Sequence, residues 1–255
     1  MKTNRKIGLA FGGGAVLGAA HVGVLRALEE LDISISYVAG TSAGALVSAF
    51  VAFNKHWEEI KEIVLDLNWL NISAMSLSKM ALLSNEKLGD LISEHLGDVN
   101  FDQSHIPAAM IATDISNGEK VIVKEGNVAD AVMASTCIPG LFKPRAIEGK
   151  LLVDGGIVEN VPISPLKEMG ADFIIAVDLN TGCSHKKPEN VIEILLNTFD
   201  FTIMAATVLQ THEADLLIEP DLSSFNRVDA DQTVALMEKG YEEAKKELKH
   251  LKELL

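Results

Sequence analysis

Two apolar runs that each end in a cluster of small residues and then open a helix set the architecture of this chain. Lys6–Phe11 reads as a short buried strand. It runs into Gly12-Gly13-Gly14, and from Gly18 an amphipathic helix extends to Leu31, with Val24, Leu25, Leu28 and Leu31 on one face. Ile35–Ala39 reads as a second strand, running into Gly40-Thr41-Ser42-Ala43-Gly44 and a helix through Phe53. Strand, glycine-bearing turn and helix twice in succession predict a parallel sheet covered by helices, because parallel neighbours need a crossover connection.

The remainder continues this grammar. Helices are expected over Trp57–Leu67, Glu86–Leu96, Val128–Ser135, Pro165–Met169 and Glu189–Gln210. Ile106–Ile115 and Lys120–Val123 read as strands joined by Asn117-Gly118, a hairpin turn pair. Arg145–Ile147 and Leu151–Val153 form a second expected hairpin, Phe173–Leu179 an apolar strand, and Asp215–Glu219 a last one. The C-terminal helix carries Val234, Met237, Tyr241, Ala244, Leu248, Leu251 and Leu255 at alternating spacings of three and four. That stripe predicts a helix docked on its own core, with a partner or dimer helix as the alternative, so a homo-oligomer stays open. No internal repeat or low-complexity linker divides the chain, and one domain over 1–255 is expected.

Composition removes several classes. With 22 Lys and Arg against 36 Asp and Glu, the formal net charge is −14. Nucleic-acid binding needs clustered cations and is not expected. Two cysteines, Cys137 and Cys183, make neither a disulfide framework nor a cysteine-rich zinc site, so no metal or other cofactor is expected and a reducing cytoplasm is the expected compartment. Lys2, Arg5 and Lys6 before an apolar run imitate a secretory signal, but four glycines interrupt that run and spoil its helix. No stretch of about 18 uninterrupted apolar residues predicts a membrane span. Asn68–Ser84, rich in Met, Leu and Trp, reads either as a lid with transient, peripheral membrane-surface contact or as short helices packed on the core.

Three glycine-bearing turns carry chemistry. Gly40-Thr41-Ser42-Ala43-Gly44 is a G-x-S-x-G between strand and helix, where a sharp turn exposes a serine hydroxyl at a helix N-terminus. An ordinary tight turn with Ser42 as N-cap is the plain alternative. Gly12-Gly13-Gly14 lets successive backbone N–H groups point at one anion. It lacks the Gly-Lys-Ser/Thr ending of a Walker loop, and no acidic residue follows the second strand as a dinucleotide site requires. An oxyanion hole fits a serine on the next strand. Asp154-Gly155-Gly156, at a strand end, is an exposed carboxylate with room around it, or an Asp that merely caps a turn. Of the histidines after Asp154, namely His185, His212 and His250, none lies in a small-residue turn just after a strand. Without a histidine, Asp154 must serve Ser42 directly, and a partly desolvated site would raise its pKa and help it accept a proton.

Phe11–Gly18, Gly40–Gly44 and Asp154–Gly156 together resemble the patatin-like phospholipase family in its bacterial form. Ala134–Phe142, Leu151–Pro162 and Gly170–Leu179 are similar to family sequence too, so the resemblance covers about 6–179 and leaves the C-terminal helices, about 189–255, outside it. The resemblance implies a three-layer α/β/α domain with a central, mostly parallel sheet. It implies Ser42 as nucleophile and Asp154 as its general base, with an oxyanion hole of Gly13 and Gly14 joined by Gly12, and Gly40, Gly44, Gly155 and Gly156 in support. The implied activity is metal-free hydrolysis of lipid acyl esters through an acyl-enzyme. A non-catalytic binding protein on the same fold, and a Ser–His–Asp esterase using His185 or His212, are the alternatives. One position departs: the family places Arg or Lys where Leu17 stands, which puts recognition of an anionic headgroup in question.

Overall fold

The computed structural model describes residues 5–67, 74–75, 83–181, 187–189 and 191–254. In chain order its first elements are β1 (Ile7–Phe11), α1 (Ala20–Glu30), β2 (Tyr37–Thr41), α2 (Ala43–Ala52), α3 (Trp57–Asp66), β3 (Ala74–Met75), β4 (Leu83–Ser84) and α4 (Glu86–Leu96). There follow β5 (Ala108–Asp114), β6 (Glu119–Val123), α5 (Val128–Ser135), β7 (Arg145–Ile147), β8 (Lys150–Asp154) and α6 (Ser164–Met169). The last are β9 (Phe173–Val177), α7 (Val191–Thr211), β10 (Leu216–Ile218) and α8 (Thr233–Leu254). Most of the lid segment expected over 68–84 lies outside the described residues, as do His185 and Cys183.

The central sheet runs β10-β9-β1-β2-β5-β8-β7, with β6 also paired to β5. β10, β9, β1, β2 and β5 are parallel, whereas β6, β8 and β7 pair antiparallel. Alternation along the strands builds two cores of unequal thickness. Leu9, Phe11, Ile175 and Val177 face a helical layer containing α1, α2, α5 and α8. Ala10, Ala39, Ala109 and Ala176 face a thinner layer under Leu166 of α6. The result is three α/β/α layers about a mostly parallel sheet.

One local arrangement positions the site. On β5, Ile111 pairs with Thr41, the end of β2, and the next residue, Ala112, pairs with Asp154, the end of β8. The opposite edge of both residues is filled by β6. Two strands that run toward each other therefore share one edge of β5 and end side by side. The antiparallel entry of β8 into the main sheet was not expected from its hairpin with β7.

The C-terminal stripe also differs in detail from the sequence pattern. α8 packs along α1, and its buried apolar side chains among the described residues are Leu236, Met237, Ala244, Leu248 and Leu251, while Val234 is exposed. The helices touch through glycine: a Cβ on Gly23 would sit 1.8 Å from Met237 O, and one on Gly240 2.0 Å from Ala20 O. Backbone meets backbone there, so no side chain can yield. Gly240→Val therefore forces the helices apart and costs on the order of 3 kcal/mol; thermal unfolding should show a Tm lower by several degrees, and an unchanged Tm would refute this packing.

Candidate active site

The turn after β2 is tight because it must be. A Cβ on Gly44 would meet Phe11 O at 2.1 Å, and one on Gly40 would meet Gly44 O at 2.3 Å. The helix α2 thus starts against the end of β1, wholly buried. Ser42 absorbs the bend with φ 54° and ψ −122°, a left-handed backbone that non-glycine residues avoid and that clusters at functional sites. Its N–H donates to Ser135 Oγ at 2.9 Å, which leaves the Ser42 side chain at the head of α2.

Asp154 lies across from it, fully buried. Its backbone is fixed by the Asp154 N–H to Cys137 O at 2.8 Å and by Thr113 Oγ1 donating to Asp154 O at 2.9 Å. Oδ1 accepts the Gly156 N–H at 2.8 Å. Oδ2 is buried with no hydrogen bond. Burial pushes the pKa of this carboxyl up to about 7, against the opposing pull of the Gly156 N–H and the nearby Ser42 hydroxyl; the Asp200 charge raises it further. The Ser42 hydroxyl therefore stands close enough to favour the carboxylate without being seated on Oδ2. Gly155 and Gly156 provide the clearance, since a Cβ at Gly155 would meet Ile111 O at 2.3 Å and one at Gly156 would meet Ile203 Cδ1 at 2.7 Å.

The glycine loop after β1 lies beside Ser42: a Cβ on Gly13 would stand 3.1 Å from Ser42 Cβ. The loop's three N–H groups are not equivalent, which corrects the expectation that all three are free to hold an anion. Gly12 N–H donates to Val177 O at 3.0 Å, continuing the β1–β9 ladder, and Gly13 N–H donates to Asn160 O at 3.2 Å. Among the described residues no hydrogen bond engages the Gly14 N–H.

Several supporting residues carried no sequence signal. His21 Nε2 hydrogen-bonds Gly12 O at 2.8 Å; its complete burial drives its pKa down to about 4, so the ring is neutral and donates through Nε2. Asn180 Nδ2 donates to Gly13 O at 3.1 Å. Arg227 donates to Asn180 Oδ1 at 2.5 Å and to Asp200 Oδ1 at 2.9 Å. Asn160 is fully buried, and neither its Oδ1 nor its Nδ2 has a partner. Only contact order in space, not spacing in the chain, reveals these four.

Ser42, Gly13, Gly14 and Asn160 line one cavity of about 570 Å³, whose other walls include residues of α7 and of 224–229. Among the described residues no histidine lines it. His212 is exposed beyond the end of α7. Leu17 is fully buried in the helical layer and is not in the cavity, so the cation expected at that position would not face this space. Among the described residues, no group of three or more His, Cys, Asp or Glu converges as a metal site.

A mostly parallel α/β/α domain whose strained serine turn faces a strand-end aspartate defines a class of protein, and sequence comparison gives it a family. The sequence model of the patatin-like phospholipases matches residues 9–167, more than half of the chain, and the chain belongs to that family. It is similar to an uncharacterized NTE family protein of Mycobacterium tuberculosis H37Rv, with 35% identity over 180 residues, 69% of this chain and 49% of that one. It is also similar to neuropathy target esterase sws of Drosophila melanogaster, with 29% identity over 187 residues, 70% of this chain and 13% of that one. The chain thus spans about half or less of the length of these curated relatives. Among solved structures, VipD from Legionella pneumophila shares the fold at a TM-score of 0.65 and 14% identity, over 96% of this chain and 67% of that one.

The buried carboxyl has a thermodynamic signature. Its folded pKa of about 7 lies above the ordinary 3.8, so the folded state holds the proton more tightly and loses stability as pH rises between those values. Asp154→Asn cannot ionise and keeps an oxygen for the Gly156 N–H. Its Tm should exceed that of the wild type by an amount that grows from about pH 4 to about pH 7 and then levels off; a pH-independent difference would show that Asp154 ionises normally.

Proposed function

We propose that this protein is a serine hydrolase of lipid carboxylic esters that works through a Ser42–Asp154 dyad. The observation that supports this most directly is the opposition of a strained, cavity-facing serine to a buried carboxylate whose Oδ2 has no partner.

In the first half-reaction Ser42 Oγ attacks the ester carbonyl carbon while its proton passes to Asp154 Oδ2. The raised pKa suits this task, because a carboxylate with a pKa near neutrality is a better base than an ordinary one. The Gly14 N–H, and the Asn160 Nδ2 amide that lacks a partner, are the donors for the developing oxyanion. The tetrahedral intermediate collapses, the C–O bond to the alcohol breaks, and the alcohol leaves with the proton from Asp154. In the second half-reaction water attacks the acyl-Ser42 ester, Asp154 takes its proton, and the carboxylic acid departs as Ser42 recovers its hydroxyl. Among the described residues no histidine lines the cavity, and His185 lies outside them; the histidine-assisted reading predicts that His185→Ala abolishes turnover, whereas the dyad leaves it unchanged.

With p-nitrophenyl esters of medium chain length, Ser42→Ala and Asp154→Asn should each lower kcat/KM by at least about a thousandfold, and only proteins with Ser42 should be labelled by a fluorophosphonate probe. Wild-type protein that neither turns over nor labels would instead identify a binding protein on this fold. Asn160→Ala should lower kcat by about a hundredfold with little change in KM. Wild-type kcat/KM should rise with pH through about 7, as Asp154 loses its proton.

A further inference from the structure

The helix that lines the cavity has a second face, and its composition is unusual. α7 carries two charged residues, Glu193 and Asp200, and both line the cavity. Ile203 on the same side lies against Gly156, beside the catalytic turn. The opposite side exposes Val191, Ile194, Thr198, Phe201, Ala205 and Leu209, spaced by three and four so that they form a single stripe. Ile194 is 51% exposed and Leu209 76%.

The hydroxyls within this face do not make it polar. Thr198 Oγ1 donates to Ile194 O at 2.8 Å, and Thr202 Oγ1 donates to Thr198 O at 3.0 Å. Each is satisfied by the helix itself, leaving its methyl group to the outside. The stripe is therefore an uncharged, apolar strip along roughly 27 Å of helix, at about 1.5 Å rise per residue. Leaving such a strip in water is unfavourable in proportion to its apolar area, and contiguous exposed patches of this kind mark interaction sites.

We infer that the outer face of α7 seats on the surface of a lipid bilayer, so that the acyl substrate reaches Ser42 from the membrane on which the helix lies. This deepens the function proposed above and rests on it for the nature of the substrate. Three observations favour a bilayer. The helix that presents the strip also lines the nucleophile's cavity, so whatever seats there adjoins the route to Ser42. A second copy is disfavoured because each chain carries a net charge of −14 and repels its like. An anionic surface is disfavoured on the same ground, which leaves a neutral or zwitterionic one.

Glu193–Thr211 is long and apolar enough to cross a membrane, although no span was expected from the sequence. Its inner side is nevertheless tied to the domain. Gln210 Oε1 accepts the Asn160 N–H at 3.1 Å, Gln210 Nε2 donates to Val158 O at 2.9 Å, and Asp200 pairs with Arg227. The helix thus lies in the interface with its polar side on the protein.

Vesicle flotation with the full-length Ser42→Ala protein tests this without needing turnover. The protein should float with phosphatidylcholine vesicles, no better with phosphatidylglycerol ones, and with little dependence on salt. Adding Ile194→Asp and Leu209→Asp should lower the bound fraction about tenfold. The same two substitutions in the presence of Ser42 should leave hydrolysis of a water-soluble short-chain ester unchanged. A single Leu209→Trp should show blue-shifted emission when phosphatidylcholine vesicles are added, which reads the contact directly. Failure to float, equal flotation of the double-Asp protein, or an unshifted tryptophan would overturn the inference. So would sedimentation showing that the double-Asp substitution converts a dimer to a monomer, since the strip would then join two copies. Flotation without any ester hydrolysis by wild type would leave the docking intact and sink the hydrolase reading.

Discussion

The site depends on how one edge of β5 is divided. β2 occupies it as far as Ile111 and β8 from Ala112 onward, running in opposite directions. Their ends abut because neither can extend: the chain leaves β2 through the strained Ser42, and it leaves β8 through Gly155, pressed against Ile111 O. A serine and an aspartate more than a hundred residues apart are thus held together by backbone ladders. Neither side chain has to be positioned by a long, flexible contact, and the geometry survives without substrate.

The same packing sets the electrostatics. Because β8 ends inside the molecule, Asp154 ends there too, and its carboxylate is stripped of water except for the single N–H of Gly156. An isolated buried charge is costly, so the carboxyl responds by binding its proton more tightly. The glycine loop opposite is under a matching constraint. Its carbonyls are held from behind by His21 and Asn180, and Arg227 fixes Asn180 in turn. With the carbonyls turned away, the N–H of Gly14 is left for the cavity. The glycine loop is therefore held partly by side chains distant in sequence.

That distance explains what could be read from the chain and what could not. The two strand–turn–helix units, the helices at Glu86–Leu96 and Val128–Ser135, and the three glycine turns rest on local chemistry, namely period, β-branching and room for backbone, and all are placed where the sequence puts them. The antiparallel entry of β8, the supporting Arg227 and Asn160, and the freedom of the Gly14 N–H, where those of Gly12 and Gly13 are engaged, depend on pairings between segments that share no local pattern. The C-terminal stripe misled at Val234 because a period of three and four cannot distinguish a first turn that overhangs the core from one that docks; the glycine contacts at Gly23 and Gly240 set the register instead. α7 misled more deeply. The sequence predicted a long helix over Glu189–Gln210 but not which faces it would bury, and one of its faces is turned outward.

Leu17 shows how the same reasoning changes a functional inference. From the sequence, the loss of a cation there suggested a site short of positive charge for an anionic headgroup. In the fold, that side chain points into the helical core and takes no part in the cavity. Among the described lining residues the positive charges are Lys187 and Arg227, set against Glu189, Glu193, Asp200 and Asp229. Arg227 is further neutralised by its pair with Asp200, both side chains being largely buried. Among the described lining residues acidic charges thus outnumber basic ones, a balance that does not depend on Leu17. On the reading proposed above, a neutral or zwitterionic ester would meet less opposition from these carboxylates and would approach beside the uncharged outer face of α7.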